Sequence, residues 1–158
     1  GATAESGVPA RQRSPLDHVS PEKAEHSVLC VGARGSLDDV AAAILSQLLN
    51  RRGIASRSLT SSDMEQVTLS RLDMTGVSIA VLSYMNEDSI PHARYLIRRL
   101  RRRAPAIKVI VGFWSMTSDQ LAQRKAMEET RADLVTVSLT DTLDQVTSLA
   151  ASNTAAKA

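Results

Sequence analysis

Residues Ser27 to Gly53 read SVLCVGARGSLDDVAAAILSQLLNRRG: a short apolar run, a turn with two glycines, then apolar residues at helical spacing up to a glycine stop. This is the opening strand-turn-helix unit of an open α/β sheet, in which the turn leaving the first strand lies at the carboxyl edge where such folds bind ligands. Ser36 followed by Asp38 and Asp39 predicts a helix start, with the serine as cap and the carboxylates opposing the helix dipole. Val40, Ile44, Leu48 and Leu49, with Ala41 and Leu45 beside them, carry the apolar spacing, and Gly53 ends it. The turn holds Gly32, Arg34 and Gly35 but no histidine, no cysteine and no Lys-Ser/Thr pair.

Downstream the same alternation continues. Ile54 to Leu59 is a short, more polar strand suited to a sheet edge, and Ser61 to Arg71 predicts a weak helix through Met64, Val67 and Leu69. The run Val77 to Leu82, VSIAVL, is apolar throughout, as expected of a strand covered on both faces. A helix follows from Ser89 to Arg103, with Pro91 in its first turn, where amides have no intrahelical acceptor to lose. Then come a strand at Ile107 to Val111, a helix at Ser118 to Thr130, a strand at Leu134 to Val137 and a helix at Leu139 to Ala151. Strands and helices alternating about every 25 residues predict right-handed crossovers and an α/β fold. The expected form is a doubly wound, flavodoxin-like, five-stranded parallel sheet of order 2-1-3-4-5 with helices on both faces.

Residues 1–26 are rich in Ala, Ser, Pro, Glu and Arg without apolar periodicity and read as a flexible tether, 27–151 as one domain, and 152–158 as a frayed tail. The opening GATAESGVPARQRSP has the composition of a linker, so the chain reads as a fragment of a longer protein. At 158 residues and 43% hydrophobic, one domain with a real core is expected. Only 3% of residues are aromatic, so the core is aliphatic, and the composition argues against an aromatic nucleic-acid stacking platform. Nineteen basic residues nearly balance 17 acidic ones, and overall charge names no partner. The single cysteine, Cys30, lies in the first strand and cannot make an internal disulfide or a cysteine-based zinc site. No apolar run approaches the roughly 20 residues that span a bilayer.

In this fold three loops border the ligand crevice: Gly32 to Ser36, Ser83 to Ser89 and Gly112 to Thr117. The candidate crevice residues are Gly32, Arg34, Gly35, Ser36, Ser83, Tyr84, Asn86, Gly112, Phe113 and Trp114. GARGS has the G-x-x-G spacing of a phosphate loop but lacks the third glycine of a dinucleotide fingerprint and the Gly-Lys-Ser/Thr of a triphosphate loop; a tight turn needing glycine is the other reading. SYMNEDS brings Glu87 and Asp88, either for acid–base chemistry or as solvated acids beside a helix start. GFWSMT sets the chain's only Phe beside its only Trp at a strand end, to cover a pocket, dock a partner or cap the core. His18 and His26 fall in the tether, and His92 has no second histidine or cysteine at ligand spacing, so neither a metal nor a catalytic site is expected. Phosphorylation of the receiver type is excluded too, because the positions of its acidic pair and acceptor aspartate hold Val31-Gly32 and Leu82-Ser83.

The strong charge feature is the arginine helix, on which Arg94, Arg98, Arg101 and Arg102 share a face while Ala93, Leu96, Ile97 and Leu100 point to the sheet. It reads either as a solvated face or as a contact for anionic lipid headgroups, each basic residue contributing roughly 1 kcal/mol near such a surface. Nucleic-acid binding is the third reading, disfavoured because no base-reading group accompanies the arginines.

The order of elements resembles the cobalamin-binding domain fold. In that family the turn after the first strand carries D-x-H-x-x-G, whose histidine ligates cobalt; a serine ends the third strand and glycines follow the fourth. On that resemblance the histidine position falls at Leu37, the aspartate at Gly35 and the last glycine at Val40. Ser83 matches the serine and Gly112 the first later glycine, with Phe113 in place of the second, where it would obstruct the path of the nucleotide tail. The stretches VLCVGARGSLDDVAAAILSQLLNRRGI, DMTGVSIAVLSYMN and HARYLIRRLRRRAPAIKVIVGFW are similar to the soluble C-terminal region of some autoinducer-2 exporter family transporters. That resemblance implies a non-catalytic regulatory or interaction domain on the cytoplasmic side of the inner membrane, tethered to a membrane-embedded parent chain and holding no cofactor. A small-molecule effector or anionic headgroups would be its partners. The rival expectations are a cofactor-binding domain or enzyme using Gly32, Gly35, Ser83, Glu87 and Trp114, and a nucleic-acid module using the arginine helix.

Overall fold

The computed structural model describes residues 27–65 and 68–157. Five strands, β1 (Val28–Gly32), β2 (Ser56–Leu59), β3 (Ile79–Tyr84), β4 (Lys108–Phe113) and β5 (Leu134–Thr136), form one all-parallel sheet in the order β2-β1-β3-β4-β5. This is the predicted flavodoxin-like order. The helices are α1 (Ser36–Arg51), α2 (Ser61–Glu65), α3 (Thr68–Arg71), α4 (Ile90–Arg103), α5 (Gln120–Thr130) and α6 (Leu139–Lys157), with a 3₁₀ turn at Glu87–Ser89 before α4.

Alternation along the strands splits the core in two. Leu29, Val31, Ala80, Leu82, Tyr84, Val109, Val111 and Phe113 pack under α4 and α5, with Ala93, Leu96, Ile97 and Leu100 from α4. Val28, Cys30, Ile79, Val81 and Ile110 face α1 and α6, meeting Ala42, Leu45, Leu49, Leu143 and Val146. The central strands are buried from end to end apart from Lys108, as a parallel sheet clothed on both sides requires. Edge strand β2, SRSL, is docked to α1 by polar groups instead: the Ser46 and Ser56 hydroxyls lie 3.0 Å apart, and Asn50 brackets Ser56 by accepting from its N–H and donating to its carbonyl.

Several boundaries differ from expectation. Strands β3 and β4 both run two residues further, so Ser83, Tyr84, Gly112 and Phe113 are strand residues and not loop residues. Of the expected Ser61–Arg71 helix, Ser61–Glu65 (α2) and Thr68–Arg71 (α3) are helical, and residues 66 and 67 lie outside the described residues. Helix α6 continues to Lys157, past Ala151, so the described part of the expected frayed tail, 152–157, is helical. The cap of α1 is Gly35, in extended conformation and with no side-chain cap bond, so Ser36 is the first helical residue and not the cap. The buried face of α1 is also rotated: Asp38, Ala42, Leu45 and Leu49 face inward, leaving Val40 54% and Ile44 42% exposed. The bonds made by Asp38 and Asp39 explain that rotation.

Candidate functional site

The C-terminal edge of the sheet carries a register row of small residues, Gly32, Ser83, Gly112 and Thr136, one from each of β1, β3, β4 and β5. All have the parity of the side chains that face α1 and α6. At one end of the row, Gly32 lets the first turn of α1 come down on the strand: a Cβ there would lie within 2.7 Å of the Asp39 N, Cα and Oδ1. Asp39 accepts from the N–H and hydroxyl of Ser61, tying α1 to the start of α2. Asp38, only 6% exposed, accepts from the N–H of Arg34 at 3.0 Å and from the N–H of Met85 at 2.7 Å, fastening the first edge loop to the second. Ser115 donates to the Met85 carbonyl, fastening the third loop to the second, and the Arg34 guanidinium reaches Ser89 Oγ at 3.2 Å. The two acids of the turn are thus structural ties that pull the Asp38 line of α1 towards the sheet.

In the middle of the row the indole of Trp114 lies directly on Gly112. A Cβ at Gly112 would fall within 2.7 Å of the ring carbons Cη2, Cζ2 and Cζ3. The Trp114 N–H continues the ladder to the Tyr84 carbonyl at 2.9 Å. Two buried polar atoms lack a protein partner here, Ser83 Oγ and Trp114 Nε1. At the far end the Thr136 and Thr142 hydroxyls pair at 2.7 Å, and Thr142 donates to the Ser138 carbonyl.

The structure divides the sequence candidates. Gly32, Ser83, Gly112 and Trp114 come together, and Arg34, Gly35 and Ser36 border them in the adjoining turn. Tyr84 and Phe113 do not: both are fully buried on the other face, stacked at 5.5 Å, with the Tyr84 hydroxyl sharing a 2.8 Å hydrogen bond with His92 Nδ1. Burial, with a contribution from the Asp38 charge, pushes the Tyr84 phenol well above its ordinary range. Asn86 is exposed and makes no side-chain cap to the 3₁₀ turn that holds Glu87 and Asp88. Asp38 and Asp39 read in the sequence as helix-start carboxylates and not as ties between loops, and Thr136 escaped the sequence reading, although strand parity with Ser83 and Gly112 was its signal. Cys30 is completely buried, and desolvation raises its thiol pKa. Among the described residues no three His, Cys, Asp or Glu side chains converge as metal ligands, and no helix is long and apolar enough to cross a membrane.

On the opposite face of the sheet, Ala93, Leu96, Ile97 and Leu100 bury α4 and turn its arginines outward, as the spacing predicts. Arg101 donates to the Arg131 carbonyl at 2.6 Å and pairs with Asp133 at 3.0 Å, both partners about a third exposed, so the ion pair contributes at most about 1 kcal/mol. Arg99 lies over the Tyr95 ring and bonds its hydroxyl, and Arg103 donates to the Leu72 carbonyl. Arg94, Arg98, Arg101, Arg102 and Arg131, with Ile97, line a groove of about 440 Å³.

The fold is similar to that of a cobalamin-binding protein. The crystal structure of such a protein from Desulfitobacterium hafniense DCB-2 superposes with a TM-score of 0.61 at 14% sequence identity, covering 78% of this chain. The chain spans 58% of the length of that protein. No protein-family model and no curated protein matches the sequence.

The residues present do not fit a cobalamin held as the sequence resemblance describes. The histidine position is Leu37, a 65% exposed apolar side chain that offers no metal ligand. The space over Gly112, beside the matching serine Ser83, is filled by the Trp114 indole. The residue expected to obstruct the nucleotide tail was Phe113, but strand alternation sends Phe113 to the α4 face and brings Trp114 to the crevice face.

Proposed function

We propose that this domain is a non-catalytic regulatory or interaction module built on a cobalamin-domain-like scaffold, with its ligand crevice closed by its own tryptophan. The observation that carries the reading is the contact of Trp114 with Gly112: a side chain of the protein occupies the position at the strand ends where open α/β sheets receive ligands. The surrounding chemistry agrees, since the only acids of the first turn are engaged as donors' partners within the scaffold. An interaction role draws support from Leu37, Val40 and Ile44, three exposed apolar side chains at helical spacing on α1 beside the crevice. The proposed setting is the cytoplasmic side of a membrane transporter; the strand-helix stretches quoted above supply its support. The upstream reading frame tests that setting: several apolar stretches of about 20 residues would uphold it, and their absence would remove it.

A second reading rests on the two unpartnered polar atoms. If the indole swings out, Ser83 Oγ and the row Gly32–Ser83–Gly112 become available to a small planar effector, which would make the crevice a gated binding site. Gel filtration with hydroxocobalamin or riboflavin distinguishes the two. The first reading expects neither compound to co-elute with the wild-type domain, and stoichiometric co-elution of either would overturn it in favour of the second.

A further inference from the structure

We infer that the groove between α4 and α5 binds a small molecule carrying two or more phosphate groups, held by Arg94, Arg98, Arg102 and Arg131. Every lining residue except Ile97 is an arginine. Of these, Arg101 is engaged with Asp133 and the Arg131 carbonyl. No described carboxylate forms an ion pair with the remaining four. Arg94, Arg98 and Arg102 succeed one another at i, i+4 and i+8, a rail with steps of about 6 Å along the helix axis. Arg131 stands on the opposite wall, at the left-handed cap that ends α5 (φ 70°).

Structural roles account for only part of this. Basic residues in a last helical turn oppose the helix dipole, which serves Arg101, Arg102 and Arg103 but neither Arg94 nor Arg98. Like charges at i, i+4 spacing repel on a helix surface, so the rail costs stability unless an anion meets it. The side chains are all guanidiniums, whose planar forks match phosphate oxygens two at a time.

The groove also narrows the ligand class. It has two walls and a volume of about 440 Å³, within the range of small-molecule sites. Its floor is Ile97, 1% exposed, and no aromatic ring lines it, so recognition there falls to the guanidiniums. Affinity therefore follows mainly the number of phosphates. The site lies across the sheet from Trp114, and its occupancy is independent of the crevice.

Calorimetric titration at low salt with inorganic tripolyphosphate, ATP and AMP tests this. Tripolyphosphate and ATP are expected to bind within about threefold of each other and AMP at least tenfold more weakly, with affinity falling as salt screens the charges. The Arg94→Gln/Arg98→Gln/Arg102→Gln variant is expected to lose about 100-fold or more, Arg98→Gln alone about tenfold, and Arg51→Gln, outside the groove, almost nothing. Unchanged circular dichroism and Trp114 emission verify that the variants remain folded. The inference is overturned if neither polyphosphate binds, if the triple variant binds as well as wild type, or if ligand addition shifts Trp114 emission. It is also overturned if phosphatidylglycerol vesicles or a single-stranded RNA bind while tripolyphosphate does not.

Discussion

Gly112→Ala puts one carbon where the indole of Trp114 now lies. The added Cβ would approach three ring carbons within 2.7 Å, whereas unstrained carbon contacts sit at about 3.5–4.0 Å, so the ring must retreat by about 1 Å or more. Overpacking of this size costs about 1–3 kcal/mol. Replacing a strand glycine restores about 0.5–1 kcal/mol through the unfolded chain. The expected net loss is about 0–2.5 kcal/mol, or a Tm lower by up to roughly 9 °C for a domain of this size. Trp114 is the only tryptophan, so its emission reports the movement without interference: the maximum should shift to the red and acrylamide quenching should rise. In Gly112→Ala/Trp114→Leu the clash is gone, and the two substitutions should couple by about 1 kcal/mol. An alanine variant with unchanged emission and unchanged Tm would refute the placement of the indole.

Ser83→Ala removes a buried hydroxyl that has no protein partner, so chemical denaturation should find stability unchanged within about 0.5 kcal/mol or slightly raised; a loss above about 1 kcal/mol would show that Ser83 Oγ is satisfied. Asp38→Ala leaves the Arg34 and Met85 amides without their acceptor and should cost about 1–3 kcal/mol by denaturant titration, whereas a loss below about 0.5 kcal/mol would contradict its role as the tie between the loops. Tyr84 titrates higher in the folded chain than in the unfolded one, where its pKa is about 10. Its stabilisation is therefore complete below that pH and is lost as pH rises above it, because the unfolded phenol releases its proton first. Between pH 10 and 11, wild type should lose about 1 kcal/mol more than Tyr84→Phe, and parallel stability curves would oppose this assignment.

The strand order and the buried face of α4 were legible in the sequence because both follow from periodicity: uninterrupted apolar runs for central strands, and Ala93, Leu96, Ile97 and Leu100 at helical intervals. The ends of β3 and β4 were not, because Ser83 and Gly112 look like turn residues and only their pairing across the sheet makes them strand residues. Helix α1 misled for a related reason. Its strongest apolar residues, Val40 and Ile44, suggested the buried face, but the helix is anchored by Asp38 and Asp39, and small Ala42 faces the strands in their place. At the crevice, the sequence brought attention to the Phe113-Trp114 pair without saying which ring enters it. Counting strand parity from Ile110 would have answered that, since positions 110, 112 and 114 share a face and 113 does not.

The two faces of the sheet divide the chemistry of the domain. The α1–α6 side holds a glycine-lined crevice closed by an aromatic ring, and the α4–α5 side holds an arginine-lined groove. The exposed Leu37, Val40 and Ile44 stripe stands beside the first of these.

Titrating the wild-type domain with hydroxocobalamin while following Trp114 emission, corrected for absorption by the corrinoid, decides whether Trp114 closes the crevice against cobalamin. With the crevice closed, no saturable change in emission and no change in the cobalamin absorption spectrum are expected. A saturable, one-to-one quenching of Trp114 accompanied by a shift in the cobalamin spectrum would contradict that closure.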